Sequence, residues 1–182
     1  MHDLKAEFGF CKEYVRDLKI EIAEDKDMTI TSDSDTEENG GLCVFDKKNG
    51  IYEIRIEKKL LDDRIPVAFL RSLIMHELLH TVKRCMNHGK TFRKNAQKIK
   101  DSSRGEYNPL AGVDWEYVIN PELEIAAVYE CECGLAHYIV KGSSTINAIS
   151  EKKCVCPCCR KIMNKNNIKY DSDMHIFSKY NA

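Results

Sequence analysis

The stretch HELLHTVKRCMNHGKTF, residues 76–92, places three histidines and a glutamate close together in the chain. Its first five residues form an HExxH pattern, and on a helix the side chains of His76 and His80 lie on one face, one turn apart. Both imidazoles can therefore reach one Zn²⁺ ion, and Glu77 can accept a proton from water without being a ligand. Asn and Gly favour a helix end at MNHG, so His88 lies where the returning chain can supply a third ligand.

The helix that carries this motif is predicted to be buried. IPVAFLRSLIMHELLHTVKRC, residues 65–85, is strongly apolar, with a proline that suits the first helical turn. A buried helix avoids ionisable side chains that lack partners, which favours a metal site. The alternative is a set of structural histidines whose hydrogen bonds are satisfied in the core. The polar exceptions are predicted to share one side of the helix: His76, Glu77, His80 and Arg84.

The rest of the first hundred residues predicts a mixture of helices and strands. Apolar residues at spacings of three and four predict an amphipathic helix over residues 4–18. Asn49-Gly50 is a strong turn signal between two strand-like runs. The remaining predictions are strands at LKIEI (18–22) and MTIT (28–31), a polar loop at 32–41, a hairpin at 42–58, and a basic helix at 90–100 with Phe92 and Ile99 inward.

The sequence resembles the SprT-like family of zinc metalloprotease-like domains in HELLH (76–80), the short linker that follows, and HGKTF (88–92). The resemblance extends upstream to the GLC…YEIRI hairpin and downstream to a YEC that opens a zinc ribbon, roughly residues 40–163. It implies that His76, His80 and His88 bind a catalytic zinc ion and that Glu77 is the general base. It also implies proteolysis of DNA-associated proteins, including proteins crosslinked to DNA. The linker from His80 to His88 is shorter than in some members of the family.

Six of the nine cysteines lie between residues 131 and 159, in the runs CEC and CVCPCC. Clustered cysteines in a reducing compartment more often bind metal than form disulfides, and a structural zinc ion needs four ligands. Ribbons of the family often use CxxC at both ends, whereas the first pair here is CxC. We predict the ligands Cys131, Cys133, Cys156 and Cys159. Three residues remain as possible replacements: Cys154, Cys158 and His137.

Charge is distributed unevenly along a chain whose net charge is −1. Residues 1–46 carry 13 acidic and 5 basic side chains, whereas residues 83–104 carry 8 basic and 1 acidic, and residues 131–169 carry 7 basic and 2 acidic. The basic stretches are either solvated faces or surfaces that meet nucleic-acid phosphates. The chain has no apolar run of about 18 residues and no signal-peptide pattern, so we expect an intracellular, cytoplasmic protein without membrane contact.

These observations predict an α+β, zincin-like domain of the minimal gluzincin, SprT type over residues 1–125. A small zinc ribbon over 126–163 and a tail over 164–182 complete the predicted organisation. Two Zn²⁺ ions are expected, one catalytic and one structural, and the substrate is expected to be a DNA-bound protein that pairs with the strand IYEIRI. The alternative is a nucleic-acid-binding zinc-ribbon protein with a weakly active or inactive zincin core. The oxyanion-stabilising group stays open between three tyrosines: Tyr107, Tyr117 and Tyr129.

Overall fold

The computed structural model describes residues 1–33, 40–63, 65–113, 125–156 and 159–170. The chain forms two compact units, residues 1–109 and residues 110–182. The boundary between these units comes earlier in the chain than the predicted domain boundary after residue 125. Residues 114–124 lie outside the described residues, and the assignment of functional domains stays a prediction.

The first unit combines three helices with a three-stranded sheet, which confirms the α+β class; that the fold is a zincin stays a prediction. The main elements are α1 (Leu4–Asp17), β1 (Met28–Asp33), β2 (Gly41–Asp46), β3 (Ile51–Glu57), α2 (Val67–His80) and α3 (Lys90–Ser102). The strand order is β1-β3-β2, with β1 parallel and β2 antiparallel to the central β3. Two short 3-10 helices, Asp25–Asp27 and Lys58–Leu61, connect the elements.

The predicted hairpin is confirmed as β2 and β3, with Cys43 opposite Ile54. Gly50 has a φ of +72°, a conformation that costs glycine little, and its N–H donates to the carbonyl of Asp46. The Asp46 carboxylate also accepts from the backbone N–H of Lys48, which closes the turn. The sequence IYEIRI is β3, which is paired on both sides, so the prediction that it offers a free edge is wrong. The outer strands of this sheet are β1 and β2.

The predicted strand at LKIEI is also wrong, because this segment ends α1 instead. Lys19 adopts a left-handed conformation, with φ +55°, and its N–H donates to the carbonyl of Arg16. The N–H of Ile20 reaches back to the carbonyl of Val15. These two bonds form a Schellman motif, in which an apolar residue after the turn packs against the last helical turn. Ile20 and Val15 are both buried, so the apolar residues that resembled a strand form a helix cap.

Helix α2 is the centre of the first unit, as the sequence predicted. Its side chains are apolar on nearly all sides, because α1, β2 and α3 all pack against it. The prediction that the helix continues to Arg84 is wrong. Thr81 donates its hydroxyl to the carbonyl of Leu78, and Arg84 lies exposed beyond the helix end with φ +67°. Five residues of α2 are completely buried: Leu70, Ile74, Met75, Leu78 and Leu79.

The second unit contains a four-stranded sheet and a short helix. The elements are β4 (Ala111–Val113), β5 (Ile125–Glu130), β6 (Ala136–Val140), α4 (Thr145–Ser150), a 3-10 helix (Lys165–Asn167) and β7 (Ile168–Tyr170). The strand order is β4-β6-β5-β7. The small core contains Tyr129, Ile139, Ile149 and Met163. Residues 168–170, which were predicted to lie in the tail, pair with β5, and Ile168 packs against this core. Within the described parts of both units, no helix has the length and apolar character needed to cross a membrane.

Candidate metal centres

The three histidines of the HELLH…H pattern meet at one point in the first unit. Helix α2 supplies His76 and His80 from successive turns, and the chain returns after the helix to supply His88. The Nε2 atom of His76 lies 3.3 Å from Nε2 of His80 and 2.9 Å from Nε2 of His88. Nitrogen atoms in a tetrahedral zinc site with Zn–N distances of about 2.0–2.1 Å are about 3.3–3.4 Å apart. The observed spacing therefore suits three ligands of one small cation.

Backbone carbonyl groups orient two of these rings. Nδ1 of His76 lies 2.6 Å from the carbonyl oxygen of Pro109, and Nδ1 of His80 lies 2.8 Å from that of Cys85. Because a carbonyl oxygen only accepts, each Nδ1 must carry the proton, which leaves both Nε2 atoms as acceptors in the neutral rings. Two acceptors that face each other at 3.3 Å need a shared positive partner. This is the arrangement by which outer hydrogen bonds orient metal-binding histidines.

The surroundings keep these imidazoles in the neutral form that binds metal. Burial, with a further contribution from His80 and His88, lowers the pKa of His76 to about 3, against the opposing effect of the Pro109 carbonyl. Burial also lowers the pKa of His80. Near neutral pH, therefore, the rings of His76 and His80 are uncharged, and a neutral imidazole is the form that binds a metal ion.

Glu77 lies apart from the three imidazole nitrogens and faces the start of β2. Its side chain is 4% exposed, and burial raises its pKa to about 8. A Cβ atom on Gly41 would lie only 2.8 Å from Oε1 of Glu77, so the strand passes directly over the carboxyl group. Cys43, two residues further along β2, has a pKa raised to about 12 by burial and by the Glu77 charge. The position suits a carboxyl group that exchanges protons rather than one that binds the metal.

A second cluster, of four cysteines, lies in the second unit. Sγ of Cys131 is 3.6 Å from Sγ of Cys159, and Sγ of Cys133 is 3.6 Å from Sγ of Cys156. All four sulfur atoms lie within 4.8 Å of one another. Tetrahedral zinc with Zn–S distances of about 2.3 Å separates its sulfur ligands by about 3.8 Å, whereas a disulfide joins them at about 2.05 Å. The cluster therefore has the spacing of a metal site rather than of two disulfides.

Two tight turns present these sulfur atoms. In the first, the N–H of Gly134, at φ +95°, donates to the carbonyl of Cys131. In the second, the N–H of Arg160, at φ +60°, donates to the carbonyl of Cys156. Burial raises the pKa of the Cys131 thiol, so a cation is needed to favour the thiolate at neutral pH. The two turns thus present two sulfur atoms each.

The residues that were left open as alternatives have different positions. Cys154 packs against the core of the second unit but is not one of the four clustered sulfur residues. His137 lies on the central strand β6, opposite Tyr129 and Gly112, and is likewise outside the cluster. Cys158 lies outside the described residues. The structure therefore brings together the four cysteines chosen from the sequence.

The structure describes two of the three tyrosines considered for oxyanion stabilisation. The hydroxyl of Tyr107 accepts from the guanidinium of Arg71 at 3.3 Å, on the side of α2 that packs against α1. Tyr129 belongs to the core of the second unit, and Tyr117 lies outside the described residues. The backbone carbonyls of Pro109 and Cys85 are site groups that the sequence did not reveal, because no residue type marks a carbonyl acceptor.

Comparison with known protein families identifies a family to which the chain is similar. The model of the SprT-like family matches residues 10–111. The match confirms the resemblance inferred from HELLH and HGKTF, and it begins earlier in the chain than that resemblance did. It ends before the cysteine cluster, so it does not extend to the predicted ribbon. No curated protein and no solved structure matches the chain.

Proposed function

Because the chain belongs to the SprT-like family, whose members are associated with zinc metallopeptidase activity, we propose that it hydrolyses peptide bonds in proteins. In this proposal His76, His80 and His88 hold a catalytic Zn²⁺ ion and Glu77 is the general base. The observation that supports it best is the convergence of three Nε2 atoms, with the rings of His76 and His80 oriented from behind by carbonyl groups. A buried carboxyl group next to the first ligand completes the set.

The chemistry of the proposal depends on proton transfer by Glu77. When bound, a zinc ion at such a site supplies Lewis-acid polarisation of a carbonyl group and lowers the pKa of water. The Glu77 carboxylate, which is buried next to the first proposed ligand, accepts the proton of the attacking water in this proposal. It then donates this proton to the leaving amide nitrogen as the C–N bond breaks, so that the enzyme returns to its starting protonation state.

The outer strand β2 is the proposed binding edge for the substrate backbone. It begins at Gly41, directly against Glu77, and continues away along the edge of the sheet. An extended peptide that pairs with such an edge gains backbone hydrogen bonds while side chains on alternate positions contact the neighbouring surface. Leu42 and Val44 are 41% and 38% exposed, so β2 offers apolar contacts beside its edge. The proposed substrate is therefore an unfolded or locally extended segment of a protein.

We further propose that the four clustered cysteines hold a second, structural Zn²⁺ ion. The support is their spacing and their place in a small core that includes Cys156 itself. Four thiolates saturate a tetrahedral ion, so this site has no open position for a substrate. Its contribution is to the folding of the second unit.

The test of the peptidase compares Glu77→Gln and His80→Ala with the wild type. Cleavage of a fluorescently labelled unstructured casein is measured together with zinc content. Glu77→Gln should reduce cleavage to a small but measurable residual rate while keeping both zinc ions, and His80→Ala should lose cleavage and one ion. Metal loss in Glu77→Gln equal to that in His80→Ala would show that Glu77 is a ligand. A wild type that keeps two zinc ions but cleaves neither casein nor a DNA-bound protein would favour the alternative, a nucleic-acid-binding protein with an inactive core.

DNA is the proposed partner, and the basic stretch of residues 83–104 supports this part of the proposal. Its helix α3 buries Phe92, Ala96 and Ile99 and turns its charged side chains outward. No basic side chain of this stretch forms an ion pair with another described residue, although Lys98 donates to the backbone carbonyl of Leu18. Exposed cations that form no ion pair within the described part of the chain are available for phosphate groups.

Salt dependence measures this contact. Replacing Lys83, Lys94 and Arg104 by glutamine should weaken DNA binding for all sequences and reduce the slope of log affinity against log salt by about two to three. The matched control replaces three exposed lysines outside the stretch: Lys5, Lys47 and Lys48. Both triple variants lose the same charge, so an equal loss of affinity would indicate only a net-charge effect. Casein cleavage should remain in both.

A further inference from the structure

One aromatic ring contacts all three histidines of the metal centre. The ring centroid of Phe92 lies 4.9 Å from that of His76, 4.8 Å from that of His80 and 4.8 Å from that of His88. The Phe92 side chain is completely buried. These distances fall within the range of favourable aromatic pairs, and the ring planes of His76 and His88 meet that of Phe92 at 66° and 71°, close to edge-to-face packing.

The ligands come from two different parts of the chain, and Phe92 comes from a third. His76 and His80 lie on α2, His88 lies on the segment after it, and Phe92 lies in the first turn of α3. Carbonyl acceptors hold the Nδ1 edge of His76 and His80, but a single hydrogen bond leaves a ring free to tilt about it. A rigid ring packed against all three imidazoles restricts that tilting for every ligand together.

We propose that Phe92 is a positioning residue that holds the three imidazoles in the ligand arrangement before a metal ion binds. This inference rests on the proposed function, because it takes the three histidines as the metal site. Phe92 does not contact the metal ion in this proposal. It acts by reducing the reorganisation that metal binding requires, and outer contacts of this kind typically change metal affinity by about 10–100-fold.

The test measures zinc affinity by competition with a chromophoric chelator in the full-length protein. Phe92→Leu should weaken binding at the histidine site by about 10–100-fold and leave binding at the cysteine site unchanged. The matched control is Ile99→Ala, which removes a completely buried side chain from the same face of α3. The two variants are compared by their urea unfolding midpoints, so that a general loss of stability is separated from a loss of ligand order. Phe92→Tyr, which keeps the ring, should retain most of the affinity.

A second measurement uses the metal-free protein and no activity. The imidazole protons of His76, His80 and His88 should show ring-current shifts in NMR spectra of the wild type. Phe92→Leu should reduce these shifts to the smaller contribution of the neighbouring imidazole rings. If Phe92→Leu does not fold, the wild-type shifts and the affinity of Phe92→Tyr decide the matter. Unchanged zinc affinity in a folded Phe92→Leu, or unshifted imidazole protons in the wild type, would overturn the role of Phe92 alone. A wild type that binds no metal at the histidines would overturn the proposed function as well.

Discussion

Gly41→Ala tests whether the close approach of β2 sets the position of the Glu77 carboxyl group. The added Cβ would lie 2.8 Å from Oε1, 3.1 Å from Cγ and 3.2 Å from Cδ of Glu77. Ordinary contacts begin near 3.4 Å, so the carboxyl group or the strand must move by the difference, about 0.6 Å. Glu77 is 4% exposed, which leaves its side chain little space in which to yield.

The expected result is a slower reaction in a protein that keeps its metal. A displacement of about 1 Å at a reacting group can cost about 100-fold in rate, so we expect kcat for casein cleavage to fall about 10- to 100-fold. Zinc content should not change, because the three histidine ligands keep their positions. Overpacking of this kind costs about 1–3 kcal/mol of stability, so rates are compared well below the unfolding temperature.

Two controls separate this effect from a general consequence of adding a methyl group. Gly9 lies within α1 with no atom close to its Cβ position, so Gly9→Ala should keep full activity and stabilise the helix by about 0.5–1 kcal/mol. If Gly41 acts through Glu77, then Gly41→Ala combined with Glu77→Gln should be no slower than Glu77→Gln alone. Rate losses that multiply in the double variant, or a Gly41→Ala enzyme as active as the wild type, would refute the reasoning.

Three further predictions concern the ligands and the groups behind them. Cys133→Ser should lose one zinc ion and unfold the second unit, whereas Cys154→Ser should keep both ions, as measured by elemental analysis and circular dichroism. Ser72→Ala removes the hydroxyl that accepts from the buried N–H of Asn108 at 3.0 Å, next to the Pro109 carbonyl that orients His76. This change should lower the free energy of unfolding, measured in urea, by about 1–3 kcal/mol. It should also weaken zinc binding at the histidines about tenfold. The last of these predictions uses thermal unfolding of the wild type and His80→Ala after their metal has been removed by a chelator. Zinc then added at 100 times its dissociation constant should stabilise the first unit of the wild type by about 2.7 kcal/mol, and it should not stabilise that unit in His80→Ala.

The sequence revealed the three histidines that the fold brings together but not the contacts that orient their rings. HExxH predicts two imidazoles on one helical face because side-chain spacing on a helix is fixed by geometry. The carbonyl of Pro109 lies far along the chain from His76, and only the tertiary fold brings the two together. Phe92 was predicted to point inward from its apolar spacing, but that spacing does not identify its neighbours. Gly41 ends an acidic, polar segment that was predicted to be a loop. In the structure Gly41 begins β2, and its lack of a side chain allows the strand to approach Glu77 closely.

The strand pairing shows the same limit. The hairpin was predictable because Asn49 and Gly50 mark a local turn between its two strands. The parallel pairing of β1 with β3 joins segments with no such local signal, so the sequence did not indicate that β3 is central. Local patterns therefore identified the elements, whereas non-local pairing decided which strand has a free edge.

The two centres differ in what the metal ion contributes to each unit. In the first unit the histidines lie beside a core of completely buried apolar side chains, and backbone carbonyl groups lie within hydrogen-bond distance of two of their rings. In the second unit the four clustered cysteines are part of the core, since Cys156 is buried within it and the other three cysteines pack against it. A small core whose own members are ligands gains folding free energy from the metal directly, as small zinc domains do. We therefore expect chelation to unfold the second unit while the first unit keeps its fold and loses only its activity. Far-UV circular dichroism with limited proteolysis distinguishes this outcome from joint unfolding, which would show that the histidine site also depends on its metal ion for structure.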